Sequence, residues 1–310
     1  MAIAAVGTSG PLIAATAAPA LAIAFWRNVF GAAALTPFTL WRHLGELRAL
    51  SGAQWLSSLF AGVALGLHFS AWTPSLTMTS VASATAFAAA QPIFAALIAR
   101  LRGENVSRQA WLGIVIAVVG VVALSGVDLR VSLRAFSGDL LALLAGALAA
   151  IYMTVGASVR KTVSLAPYAV VCYSTAAFVL AGLALATGEH LGGLSGDAWL
   201  KILGLTAGAQ LLGHTLFNRV LKTTSATVVS LCILLEVPAA ALIAALWLRQ
   251  VPSWSMVPGA VLILAGLAVV TLGGGTAASE AAASGGATLD ADTRGTDHPG
   301  VPETLDVTGQ

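Results

Sequence analysis

Glu236 stands within an otherwise apolar run, residues 225–248. A carboxylate inside such a span costs on the order of 3 kcal/mol or more unless it is paired, hydrated or protonated. Its side chain must therefore face a bundle interior or water. It serves either as a proton-carrying or ligand-contacting group, or as half of a permanent ion pair that locks helices. Arg27, early in another apolar run, is the obvious partner. Ion pairing and proton carriage then compete for the same carboxylate. Arg27 has two other uses: its long stem can snorkel to an interface, or its planar fork can bind a carboxylate or phosphate.

Gln210, His214 and Asn218 follow one another at a spacing of four, which on a helix places all three on one otherwise apolar face. His68 and Trp72 have the same spacing, as do Ser83, Phe87 and Gln91. Two uses are open for these polar groups: lining a hydrated cavity, where the histidines would titrate, or hydrogen bonding between helices. Pro92 and Pro238 each remove a backbone donor, loosen the helical ladder and leave a carbonyl that could face a cavity. The two histidines and Glu236 lie on separate segments without metal-motif spacing, so neither a metal nor a cofactor is expected. Tyr152 and Tyr173 could add hydroxyls, although buried tyrosines as often simply pack.

The elements that must hold these groups are membrane helices. Hydrophobic residues make up 58% of the chain, charged residues 9%, and the mean hydropathy is +0.90, values far from those of soluble domains. Nothing alternates as barrel strands would. Asking for about 20 apolar residues per crossing gives ten spans, near 1–17, 19–40, 54–75, 79–100, 109–126, 138–158, 166–187, 198–220, 225–248 and 254–273. The chain turns apolar directly after Met1 without the pattern of a cleaved signal, so the first segment is expected to be kept. It carries Gly7, Gly10 and Pro11 and is the weakest of the ten. Cys172 and Cys232 read as small buried hydrophobes. The acidic, Gly- and Ala-rich stretch 274–310 is expected to be a disordered cytoplasmic tail.

From His68 to Gly120 and from His214 to Gly266 the same landmarks recur at one constant offset. Pro92 matches Pro238, Gly113 matches Gly259, and Gly120 matches Gly266. The unit is therefore duplicated, with expected halves 1–126 and 138–273. With the amino terminus inside, the inner loops carry Arg42, Arg48, Arg100, Arg102, Arg108, Arg160, Lys161, Arg219 and Lys222. The outer side carries Arg130, Arg134, Lys201 and Arg249. That excess places both termini in the cytoplasm, and five spans per half then make the repeat inverted. Two Pro-interrupted helices in matching positions point to a cavity between the third, fourth, eighth and ninth spans, with the second and seventh completing the wall. Small residues at Gly62 and Gly66, Gly204 and Gly208, and Gly113, Ala117 and Gly120 read as close helix contacts. Trp41, Trp55, Trp199 and Trp254 fit an interfacial belt.

Ten spans, the inverted repeat, Gln91-Pro92 answered by Glu236-Val237-Pro238, and Arg27 early in the second helix together resemble the drug/metabolite transporter superfamily, EamA-domain family, over residues 1–273. That family often places an acid after the fourth and ninth helices. Glu104 fits, whereas Gln250 occupies the second-half position. The resemblance implies an all-α membrane protein working as a secondary carrier by alternating access, most naturally an exporter of a small polar metabolite such as an amino acid. Proton exchange through Glu236 is one form of coupling. The implied partners are a small-molecule substrate, the proton and the lipid bilayer of the cell membrane, with no nucleic acid.

No nucleotide-hydrolysis motif is visible, which leaves a gradient as the energy source. An enzyme would need a nucleophile and base on converging faces, and the polar residues are scattered singles. Competing readings are an uncoupled facilitator, a drug exporter, a membrane-embedded enzyme and a noncatalytic membrane subunit.

Overall fold

The structure, a computed structural model, describes residues 2–213 and 235–272. Every regular element among the described residues is helical, as hydrocarbon demands by offering backbone groups no partner. The first apolar run is divided into α1 (Ala2–Gly7) and α2 (Ser9–Ala14). A long α3 (Ala20–Arg42), a short α4 (Leu44–Ala49) and a long α5 (Gly52–Met78) follow. The fourth expected span is also divided, into α6 (Val81–Ala88) and α7 (Gln91–Leu101), with Ala89 and Ala90 between them. Next come α8 (Arg108–Val131), α9 (Leu133–Val159) and α10 (Leu165–Thr187). Helix α11 (Gly196–Leu205) runs directly into a π-helix, Thr206–Gly213. After the undescribed stretch come α12 (Glu236–Trp247) and α13 (Val257–Leu272).

Five segments are long and apolar enough to cross a membrane: Ala20–Arg42, Gly52–Met78, Val81–Leu101 taken through its break, Leu133–Val159 and Leu165–Thr187. Their bounds follow from local chemistry. Ser51, Ser80, Ser107, Ser132 and Ser195 each cap a helix by accepting the third backbone N–H, and Ser51 completes a capping box with Gln54. Gly188, at φ 70°, ends α10 in a left-handed turn that disfavours a side chain.

Helix α5 packs along α9, and α10 lies against both α3 and α5. A Cβ at Gly62 would stand 2.6 Å from Thr175 Cβ, and one at Gly66 would stand 2.9 Å from Val179 Cβ, so glycine lets α10 close on α5. A second seam joins α8 to α13. A Cβ at Gly113 would meet the Gly266 carbonyl at 2.6 Å, and one at Gly120 would meet Ile263 N at 2.6 Å and the Gly259 carbonyl at 2.8 Å. Position 113 opposes 266 while 120 opposes 259, so the two helices run antiparallel.

Among the described residues nothing comes within 4 Å of the space that side chains at Gly204 and Gly208 would fill. Trp41 and Trp254 are exposed near helix ends. Trp199 instead packs edge-on against Trp26, with ring centroids 4.9 Å apart. Leu112, Val115, Val119 and Val122 of α8 are exposed, an apolar face suited to lipid.

Side chains lash the two ends of the bundle. Glu46 of α4 accepts the Ser164 backbone N–H at 2.6 Å and contacts His43 at 3.0 Å. Gln54 Nε2 donates to Thr162 Oγ1 at 3.0 Å. At the other end Glu189 accepts the Leu21 N–H at 3.3 Å, and Trp26 Nε1 donates to the Leu191 carbonyl at 2.7 Å. Glu189 thus places a carboxylate at the amino end of α3, where the helix dipole favours it.

Candidate functional site

Arg27 is 2% exposed on α3, among the largest fully enclosed side chains in the molecule. Snorkelling is therefore not its arrangement. Its Nε–H donates to Gln210 Oε1 at 2.9 Å, and its guanidinium carbon sits 4.2 Å from the centroid of Phe69 on α5. Stacking over an aromatic face supplies attraction that water no longer provides. Tyr173 of α10 faces the same pair.

Gly31, one turn along α3, makes the room: a Cβ there would lie 2.5 Å from Gln210 Nε2 and 3.1 Å from Tyr173 Cδ2. Gln210 is 2% exposed and reaches α3 from the π-helix. Such wide turns recur where a helix must aim a side chain off its regular face. The geometry leaves donors over: among the described residues neither Arg27 Nη1 nor Gln210 Nε2, both buried, has a hydrogen-bond partner. Unpaired buried donors are expensive and mark a place built for an acceptor.

Glu236 occupies the first turn of α12, partly buried and within electrostatic range of Arg27. Among the described residues the two form no ion pair. Its setting differs from the mid-helix position read from sequence, since α12 begins at Glu236 itself and the positive end of the helix dipole supports the carboxylate. Pro238 and Pro92 likewise lie in the first turns of α12 and α7. A proline there breaks no ladder bond, because first-turn N–H groups have no intrahelical acceptor. Pro92 thus stands just after the break at Ala89 and Ala90, and Pro238 in the first turn of α12.

Other candidates are distributed differently. His68 is held through Nδ1 by the Ala145 carbonyl of α9 at 2.8 Å, an interhelical bond. Trp72 is buried in the apolar core. Gln91 opens α7, partly buried. Ser83 Oγ donates to Asp128 Oδ2 at 2.7 Å. His214 and Asn218 lie outside the described residues, as do Cys232 and the 274–310 stretch. Gln250 caps α6 by accepting the Val81 N–H at 3.2 Å.

An open cavity of about 950 Å³ lies where α3, α5, α9 and α10 meet, lined by Leu21, Ser70, Thr77, Met78, Arg134 and Glu189 among others. Its walls come from the second, third, sixth and seventh expected spans; much of the eighth and ninth, which the expected central cavity needs, lies outside the described residues. Leu21 on its rim and Arg27 on the same helix are about 9 Å apart along the axis. Phe69, Asn28, Asp128 and Asp139 were not anticipated. Phe69 carried a weak signal as the neighbour of His68, on the face adjoining it. Among the described residues no group of three or more His, Cys, Asp or Glu side chains is placed to hold a metal.

With this geometry in view the comparisons can be placed. The model of the EamA-like transporter family matches residues 1–126 and 136–272, so the match covers both repeats. The chain belongs to that family and is a multi-pass membrane transporter of the drug/metabolite kind. A solved structure described as "Crystal structure of protein" is similar over 87% of this chain and 94% of its own, with a TM-score of 0.62 and 21% identity, a likeness of fold. No curated protein matches.

Proposed function

We propose that the chain is a secondary active transporter that moves a small polar or zwitterionic metabolite, with an amino acid as the type, by alternating access, and that Arg27 receives the substrate's carboxylate. The observation that carries this reading is that two hydrogen-bonded neighbours, Arg27 stacked on Phe69 and Gln210, each keep a buried donor, Nη1 and Nε2, without a partner among the described residues. An anionic oxygen would satisfy both, and a guanidinium already fixed by stacking and by one hydrogen bond has less freedom to lose on binding. Glu236, within electrostatic range across the site, complements the ammonium of a zwitterion or carries a proton in exchange.

The expected 5+5 inverted arrangement, with halves 1–126 and 138–273, draws support from the α8–α13 seam, in which repeat-equivalent glycines meet their counterparts antiparallel. With both termini cytoplasmic, the end of the bundle that holds the 950 Å³ cavity faces outward, and export is the direction that membership of the family favours.

Purified protein in proteoliposomes, assayed with a panel of labelled amino acids under an imposed pH gradient, tests the reading. Wild type should move at least one of them faster than protein-free vesicles and respond to the gradient. Glu236→Gln should lose the response while remaining folded. Flux indifferent to the gradient would make the protein a facilitator, and a Glu236→Gln protein that stays coupled would remove that residue from the mechanism.

A further inference from the structure

Two carboxylates that play no part at Arg27 meet where α5 turns into α6. Asp128 near the end of α8 is 2% exposed, and Asp139 on the second turn of α9 is 0% exposed. Asp139 faces Asp128 and Thr79. Ser83 Oγ is the donor that Asp128 receives, at 2.7 Å, whereas both Asp139 oxygens are buried without a hydrogen-bond partner, as is Thr79 Oγ1.

The helices packed around the pair offer little compensation. Titratable groups on them besides the pair itself are His68 of α5, Arg100 of α7, Arg108 and Arg130 of α8, and Arg134 and Tyr152 of α9, Tyr152 standing about 20 Å along the helix from Asp139. His68 is engaged with the Ala145 carbonyl, Arg134 Nη2 donates to the Thr77 carbonyl at 3.2 Å, and Arg130 is exposed. Among the described residues none of them forms an ion pair with either carboxylate.

Two adjoining buried carboxylates served by one hydroxyl cannot both stay ionised without a neutralising charge. A single proton supplies what is missing. It cancels one charge, turns one carboxyl into an O–H donor and gives the other an acceptor's role. Water is close: Thr77, Met78 and Arg134 line the open cavity, and Met78 Cβ lies 2.9 Å from where a Gly138 side chain would begin, one residue before Asp139.

We propose that Asp128 and Asp139 form a proton-binding site separate from Glu236, in which one proton shared between the two carboxyls ties α6, α8 and α9 together beside the cavity mouth. On release the O–H bond breaks, the proton passes to water in the cavity, and the two remaining carboxylates repel one another. Deprotonation therefore loosens α6, the half-helix before the break at Ala89 and Ala90.

The test uses the full-length protein in lipid nanodiscs without substrate, so its outcome is independent of whether transport is found. The folded state holds a proton that the unfolded chain releases at neutral pH, so stability must fall as pH rises. Wild type and Glu236→Gln should both show the thermal midpoint falling from about pH 5 to about pH 9. Asp139→Asn and Asp128→Asn should show at most half that fall. Infrared spectra of the Glu236→Gln protein at neutral pH should also contain a protonated-carboxyl band that Asp139→Asn removes.

An undiminished fall in Asp139→Asn would overturn the assignment. So would recovery of the high-pH midpoint by sodium but not choline at equal ionic strength, which would make the pair a metal-cation site. If the Asn variants do not fold, absence of the infrared band from Glu236→Gln protein refutes the proposal unaided.

Discussion

Arg27 and Gln210 meet in the interior, Nε–H to Oε1 at 2.9 Å, across the junction of α3 with the π-helix. A guanidinium enclosed to 2% exposure has few ways to recover the hydration it has lost, so each remaining contact matters. Gln210→Leu removes the neutral acceptor while leaving the charge. The expected cost is about 1.5–3 kcal/mol of stability, measured by unfolding in detergent or nanodiscs, with binding of any anionic ligand weakened as well. Unchanged stability would mean that Arg27 finds another acceptor.

Arg27→Lys separates charge from shape. The ammonium keeps the charge but loses the planar fork and its stacking on Phe69. Transport of a carboxylate-bearing substrate is expected to fall at least about tenfold, the equivalent of about 1.4 kcal/mol, measured as initial uptake rate at equal protein density. A rate within twofold of wild type would contradict the assignment of Arg27 Nη1 to the substrate's carboxylate.

At the α8–α13 seam, Gly113→Val and Gly120→Val drive a side chain into the backbone of the opposite helix, where the nearest atoms stand 2.6 Å away in both cases. Each should cost about 1–3 kcal/mol or more through overpacking, read as a lowered thermal midpoint. Gly204→Ala is the control. Among the described residues its side chain would meet nothing within 4 Å, and alanine's better helix propensity makes the change neutral or stabilising by up to about 1 kcal/mol.

Glu46 predicts an acid sensitivity at the basic end of the bundle. Burial pushes its carboxyl up, but hydrogen bonds from Ser164 and His43 outweigh that and hold it below the usual glutamate range. A group held low when folded contributes stability above the ordinary glutamate value and loses it as pH falls through the folded one. Below about pH 4 the wild-type thermal midpoint should therefore drop more steeply than that of Glu46→Gln. At neutral pH Glu46→Ala should cost about 1 kcal/mol, the value of a helix cap, because Ser164 does not cap α10 with its own side chain. Parallel acid limbs would show that the clasp contributes nothing.

Much of the helical layout was legible because a bilayer dictates segment length. The second, third, sixth and seventh expected spans lie within about five residues of α3, α5, α9 and α10 at each end. Spacing also revealed Gly113 and Gly120 as contact points. It could not say which helix each would meet, since the partner is a property of the assembled bundle.

The π-helix left no mark in Thr206–Gly213, an ordinary apolar stretch. Arg27 and Gln210 were each singled out, but their contact spans elements far apart in sequence. Asp128 and Asp139 escaped notice because each lies near a span end, where a carboxylate reads as loop charge until packing encloses it. Pro92 did carry a signal of the break in the fourth span, but whether such a proline loosens a ladder or opens a new first turn depends on where the preceding helix ends, which spacing does not fix.

The glycine seam between α8 and α13 also bears on how the two halves are joined. Backbone meets backbone at Gly113 and Gly120, and the side chains of Val270 and Ile263 fill the space beside them, so the two helices sit closer than a residue with a Cβ would allow. Because 113 faces 266 and 120 faces 259, each half of the duplicated chain brings the same pair of glycines to one shared joint.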